Sequence, residues 1–392
     1  MTQDPTSTST STSSTTTTTT NTTDDDDDLA EARAELRAVA RDLLGKANPA
    51  TKAGWRQLAD AGWLGLEAPS AHNGADATFA ETAVILEELG RAAAPGPYLG
   101  AVVLGIGTLR ELAPTPARDD LLTRAATGNA LPVAVLSDGS EGAAISHDSP
   151  PFRLEQTSGG LRLHGQAAFA PDAAEATRLL LLAGTTEDDG ALVIIDVDPG
   201  TAGLTVMAQP VLDATRQLAQ ITADGFKVDE ASLWHFNGGP SAAARRLLDR
   251  AAAAIACDSL GLSEAMLETT VAYAKVRQQF GRPIGSFQAV KHACADVLVS
   301  ISVSRGLVDA AVHAIASGDP QAGVAASMAK SHACQTAVEI AGKAMQLHGG
   351  IGYTWESGIH VYLKRAALNR SLFGSPAAHR KRLAARYAEV RP

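Results

Sequence analysis

Two short stretches of the chain place groups suited to holding a flat, charged ligand. In "VRQQFGRPIGSFQAVKH" (residues 276–292), helix-forming runs flank the interruption Phe280-Gly281-Arg282-Pro283-Ile284-Gly285. Arg277, just before it, offers a planar fork of donors that matches a diphosphate. Gly281, Pro283 and Gly285 let the backbone turn sharply so that a ligand can approach. Phe280 supplies a ring for stacking, and Gln288 brings a donor and an acceptor to the head of the next helix. Further on, "QLHGGIGY" (residues 346–353) sets Gly349 and Gly350 where backbone amides can come close to phosphates. Taken singly, a helix corner would explain the first stretch and a C-cap with a turn the second.

These stretches need helices to position them, and the surrounding pattern supplies them. Residues 29–130 read as helical: "LAEARAELRAVARDLL" repeats apolar residues every three or four positions. "GWRQLADAGWLGLEAP" reads as a helix stopped by Gly62, and "FAETAVILEELGRAAAP" as one stopped by Gly90 and then Pro95. Residues 131–232 change texture, with short runs such as "LPVAVL", "ALVIIDV" and "GLTVMA" between Gly, Asp and Pro; this predicts a small antiparallel sheet or barrel. Residues 233–392 return to alanine-rich helices near 241–279, 286–316, 321–347 and 357–389, the pattern of an antiparallel four-helix bundle. The fold class is therefore α+β, with a β module between two helical ones. Residues 1–28, a Ser/Thr tract ending in "DDDDD", cannot offset the entropy of ordering and read as a disordered tail.

Composition narrows the classes of function. The formal net charge is -10, and six aspartates lie in the first 28 residues, leaving a mildly acidic body with no footprint for nucleic acid. No 18-residue apolar run stands out as a membrane span, and the N-terminus lacks the basic and apolar regions of a secretory signal. Three widely spaced cysteines, Cys257, Cys294 and Cys334, read as free thiols of a reducing compartment, so the expected location is cytoplasmic. No CxxC or HExxH spacing occurs, and no metal site is expected.

Together, "LSEAMLETTVAYAKVRQQFGRPIGSFQAVKHACADV" and "AMQLHGGIGYTWE" closely resemble the two signature stretches of the acyl-CoA dehydrogenases. Weaker likenesses in "LADAGWLGLEAPSAHNGADATFAETAVILEELGRA" and "LDATRQLAQITADGFKV" extend the resemblance over about residues 29–390, nearest to the actinobacterial branch that degrades lipid and steroid side chains. The resemblance implies FAD as cofactor, with Arg277, Gln279, Phe280 and Gln288, and Gln346, Gly349 and Gly350, contacting the FAD of a neighbouring subunit. Gln279 stands where many relatives have a small hydroxyl residue, and His348 is read as structural or as a hydrogen-bonding neighbour of the cofactor. The resemblance also implies an acyl-CoA substrate, a homo- or hetero-oligomer built as a dimer of dimers, and electron transfer flavoprotein as acceptor. Ser137 and Ser140 in "VLSDGSEGAAIS" stand in for the family's flavin-contacting loop.

The reaction needs a carboxylate to remove the Cα proton. Many relatives carry it in a Tyr-Glu-Gly-Thr run after the second signature; here the matching stretch is "SLFGSPAAHR", and Phe373 occupies the glutamate position. Others place it early in the first bundle helix, where this chain has Ala251. At about 100° per residue, Asp258 lies on nearly the same helix face as Ala251, about 10 Å along the axis, whereas Asp249, Glu264 and Glu268 point elsewhere. Asp258 is thus the candidate base, or else a buried acid paired across a helix contact. The chain is read as an α,β-dehydrogenating flavoprotein, with a base-less subunit of a heteromeric enzyme as one form of that reading. A flavin-dependent monooxygenase or oxidase, and a non-catalytic structural subunit, are the alternatives.

Overall fold

A computed structural model describes residues 22–45, 54–139, 150–186 and 191–389. The N-terminal domain comprises α1 (Thr22–Gly45), α2 (Trp55–Asp60) and α3 (Phe79–Arg91). A wide-turned π-helical segment, Leu99–Ile106, then runs into α4 (Gly107–Glu111), and α5 (Pro116–Ala126) follows. Helix α1 begins at Thr22, so the last part of the expected tail is helical; acidic residues suit the positive end of a helix. Residues 1–21 lie outside the described residues.

Helix α3 starts on a capping box between Thr78 and Glu81. It does not stop at Gly90, as the sequence predicts, but runs through it to Arg91. The glycine serves a crossing instead. A Cβ on Gly90 would sit 2.0 Å from the carbonyl oxygen of Asp258, and one on Gly261 would sit 1.8 Å from that of Glu87. Two glycines, one on each helix, let α3 and α6 (Pro240–Val276) touch backbone to backbone.

The middle domain has eight strands: β1 (Pro132–Val135), β2 (Phe152–Thr157), β3 (Gly160–Pro171), β4 (Arg178–Thr185), β5 (Leu192–Val197), β6 (Leu204–Gln209), β7 (Leu218–Val228) and β8 (Leu233–Trp234). Their order is β6-β7-β3-β2-β4-β5-β8, with β1 on β4. The sheet is mostly antiparallel, but β1 and β2 both run parallel to β4. Strand β4 is buried on both faces, as its unbroken run of leucines requires. Leu180 and Leu182 join the core shared with the helices, while Leu179 and Leu181 face a separate core within the β domain.

In the C-terminal domain α6, α7 (Gln288–Ala316) and α8 (Ala322–His348) end within three residues of the predicted bounds. The predicted fourth segment is two helices, α9 (Ile359–Ser371) and α10 (Pro376–Glu389), broken at Leu372–Ser375. Between α6 and α7 the interruption forms a tight hairpin of β9 (Gln278–Gln279) and β10 (Arg282–Pro283). Its central residues Phe280 and Gly281 have φ of 52° and 73°, both positive, as a type I′ turn requires. Helix α7 is long and apolar enough to span a membrane by length and composition alone; it packs on α6 and α8 and leaves Leu298, Val299 and Val303 exposed.

Candidate functional site

Phe373 sits in the break between α9 and α10. Its φ is 53° and that of Gly374 is 92°, so two successive residues take the left-handed turn. Two buried side chains hold the loop. Lys330 on α8 is fully buried and donates from Nζ to the carbonyls of Asn369 (2.9 Å), Arg370 (3.4 Å) and Gly374 (2.9 Å). His379 donates from Nε2 to the Phe373 carbonyl at 2.9 Å. Burial lowers the Lys330 pKa, and burial brings that of His379 down to about 4.

The Phe373 ring borders a cavity of about 480 Å³ between the β domain and α9. Leu104 forms part of its wall, with Ser137, Phe169 and Pro171 from the β domain, and Leu368 and Leu372 from α9 and the loop. No ionisable side chain lines it among the described residues. Ser137 accepts a hydrogen bond from the Gly139 amide at 3.2 Å; Ser140 lies outside the described residues. Ala251 is buried within α6.

Asp258 is tied into the core by ion pairs. It is 1% exposed, and both carboxylate oxygens are taken. Oδ1 accepts from Arg365 Nε (3.0 Å) and Asn369 Nδ2 (2.6 Å); Oδ2 accepts from Arg365 Nη2 (2.5 Å) and Arg216 Nη2 (2.9 Å). Burial pushes its pKa up, but Arg365 and Arg216 outweigh burial and hold it at about 2. A carboxylate that gives up its proton this readily is a poor proton acceptor at neutral pH. Helix-face geometry carries no information on the two arginines, 42 residues upstream and 107 downstream, that pair with Asp258. Arg365 also donates to the carbonyl of Ala94 (3.0 Å) and to Thr215 Oγ1 (2.9 Å), so one guanidinium joins the N-terminal domain, a loop of the β domain and the bundle.

At the other end of α6 the two signature stretches come together. Tyr273 and His348 stack with ring centroids 4.3 Å apart, and the Tyr273 hydroxyl donates to the His348 carbonyl at 3.4 Å. His348 Nδ1 donates to the Ala344 carbonyl at 2.8 Å, a structural role. Tyr273, one helical turn before Arg277, escaped the sequence reading because a tyrosine at a helical position resembles ordinary packing.

Arg277 caps α6, its amide bonding to Tyr273 and its carbonyl to Ile284 (2.9 and 2.8 Å), while its side chain stays exposed. The Gln279 side chain donates from Nε2 to the neighbouring Gln278 carbonyl at 3.0 Å, while its backbone pairs with Arg282 in the hairpin. The Phe280 ring is 91% exposed, braced edge-on by Phe287 at 6.1 Å, and the Arg282 guanidinium covers Phe287 at 4.2 Å. Gln288, Gln346, Gly349 and Gly350 are all exposed, with open space where side chains on the two glycines would be. These donor types suit a diphosphate: one guanidinium, two amide side chains and two glycine amides, with the exposed Phe280 ring at the hairpin tip.

This three-module fold, with a paired glycine and arginine platform at one end of its bundle, defines a class of flavoprotein. Residues 27–129 match the family model of the acyl-CoA dehydrogenase N-terminal domain, and residues 237–388 that of the C-terminal domain. Acyl-CoA dehydrogenase IpdE2 of Mycobacterium tuberculosis is 32% identical over 332 residues, covering 84% of this chain and 85% of that protein. The chain belongs to the acyl-CoA dehydrogenase family, FAD-dependent oxidoreductases that act on CH–CH donors. Among solved structures, the Tcur3481–Tcur3483 steroid ACAD superposes with a TM-score of 0.79 at 29% identity, covering 92% of this chain and 99% of that one. The ChsE4–ChsE5 complex from Mycobacterium tuberculosis superposes with a TM-score of 0.82 at 26% identity, covering 92% and 98%.

Proposed function

We propose that this chain takes part in FAD-dependent α,β-dehydrogenation of an acyl-CoA thioester of lipid or steroid side-chain breakdown, as the subunit that lacks the base. The cavity beside Phe373 carries the proposal: where the reaction needs a carboxylate, the described lining offers none. Balanced chemistry requires a proton to leave Cα and a hydride to leave Cβ. When bound, FAD supplies the hydride acceptor. Removal of the Cα proton then falls to a carboxylate on a second, different polypeptide.

This chain's own residues bind and enclose. Arg277, Gln288, Gln346 and the amides of Gly349 and Gly350 hold the diphosphate half of a cofactor shared with a neighbour, and Phe280 stacks on it. The aliphatic and aromatic wall around Phe373 excludes water and seats a bulky apolar acyl group. The exposed apolar residues of α7 suit burial against a partner chain in a dimer of dimers. The ChsE4–ChsE5 complex, a pairing of two different chains on this fold, supports the heteromeric form. A cytoplasmic location and electron transfer flavoprotein as acceptor complete the reading.

The test is purification of the chain alone and with candidate partner dehydrogenases, followed by ferricenium-coupled oxidation of acyl-CoA esters. Flavin absorbance with turnover only in the mixture is the expected result. Rapid turnover by the lone chain, abolished in Asp258→Asn without loss of folding, would sink the base-less reading.

A further inference from the structure

A second cavity, of about 780 Å³, opens between the N-terminal domain and the end of the bundle where α6 and α8 begin, and no residue of the sheet lines it. Six arginines do: Arg110, Arg245, Arg246, Arg250, Arg382 and Arg386. Four carboxylates face them: Glu67, Glu111, Asp249 and Asp319. The wall therefore carries more positive than negative charge. Glu67 accepts from Arg250 (2.5 and 2.7 Å) and Arg110 (2.8 Å), Glu111 accepts from Arg246 (2.5 Å), and Asp249 pairs with Arg382. Arg386 is exposed and donates to a neutral group, the side-chain carbonyl of Gln321, at 2.5 Å.

Helix ends add to this charge. Helices α3, α6 and α8 all start at the cavity, through Thr78 and Phe79, Ala242, and Ala322. Each N-terminus presents roughly half a positive charge. The capping box engages that of α3, but α6 and α8 have no side-chain cap. Gly323 keeps the first turn of α8 against the ion pair, since a Cβ there would meet Asp249 Oδ2 at 2.5 Å and Arg382 Nη2 at 2.9 Å.

We propose that this cavity binds an oxyanion, a carboxylate or a phosphate, apart from both the Phe373 cavity and the Arg277–Gly350 platform. Arg250 Nε donates to the Val103 carbonyl at 2.9 Å, and the next residue, Leu104, lines the Phe373 cavity. The two cavities thus lie on either side of one helical turn. The oxyanion is a free small anion, a reading that does not rest on the function proposed above.

Isothermal titration of the full-length protein with adipate and with inorganic phosphate tests it. Saturable binding of at least one probe is expected, about tenfold or more weaker in Arg386→Gln. Arg124→Gln, whose Asp120 partner lies on α5 outside the cavity, leaves it unchanged. Adipate binding tighter than phosphate assigns a carboxylate ligand; the reverse assigns a phosphate. No saturable binding of either probe, or affinities equal to wild type in both Arg386→Gln and Arg246→Gln, overturns the proposal. No acyl-CoA turnover in the mixture with partner dehydrogenases, with anion binding intact, breaks the dehydrogenase reading alone, and anion binding absent with turnover in that mixture breaks only this one.

Discussion

Helix α9 serves two neighbourhoods with opposite chemistry. One face sends Arg365 and Asn369 to Asp258, a charge buried under four hydrogen bonds. The other sends Leu368 to the Phe373 cavity, whose described lining holds no charge at all. Asp258 is committed to holding the fold, and the cavity on the other face of α9 is walled largely by apolar side chains, Phe373 among them. A carboxylate's position on a helix face therefore says little about its role until its partners are known. Asp258 is ionised because two arginines keep it so, and the same arginines make it useless for taking up a proton.

Restoring a base in the Phe373 cavity is the most direct way to break this contrast. In Phe373→Glu, assembled with FAD, acyl-CoA turnover by the lone chain should rise by about 10²–10⁴-fold, the usual worth of a general base. Lys330 and His379 hold the loop through its backbone, so the turn should survive the substitution; ferricenium reduction measures the gain. No gain in a protein that still binds flavin would show that more than the carboxylate is missing.

Asp258→Ala should cost about 3–5 kcal/mol in urea unfolding, because it strands buried arginine charge. A folded, stable variant would return Asp258 to the list of candidate bases. Gly90→Ala reaches the same spot through the backbone. Its methyl group collides with the Asp258 carbonyl, and overpacking of this kind costs about 1–3 kcal/mol by the same assay.

The smallest effect separates the two neighbourhoods by pH. Both groups have folded-state pKa values below their unfolded ones, so each stabilises the fold at higher pH and loses that contribution on acidification. For His379 the loss runs from its ordinary value of 6.5 down to about 4. For Asp258 it runs from 3.8 down to about 2. Stability followed by denaturant melts should therefore fall first around the Phe373 loop and then around Asp258, and His379→Gln should flatten only the upper limb.

The bundle was largely legible in the sequence. Alanine-rich periodic runs broken by Gly318-Asp319-Pro320 or by Gly349-Gly350 leave little choice of helix bounds. Counting from the second signature singled out Phe373, and the structure places it in the α9–α10 break beside a cavity. What escaped was non-local or very short. Arg216 and Arg365 carry no local pattern that points to Asp258. The parallel pairing of β1 and β2 with β4 leaves no trace in alternation, since strand runs look alike whichever way their neighbours run. A hairpin of two-residue strands, with Phe280 in a left-handed turn position, lies below the length at which periodicity can be read. Gly90 was misjudged because a helix-ending glycine and a helix-crossing glycine look the same until the second helix is in place.

The reach of Arg365 has a consequence in time. Its partners are Ala94 in the N-terminal domain, Thr215 in the β domain and Asp258 in the bundle, so its bonds close only once all three modules have docked. Contacts made that late are absent from the rate-limiting step of folding. Arg365→Met should therefore unfold faster while refolding at the wild-type rate, a change that stopped-flow chevrons resolve. The same guanidinium that disarms an acid would then set how long the assembled chain stays folded.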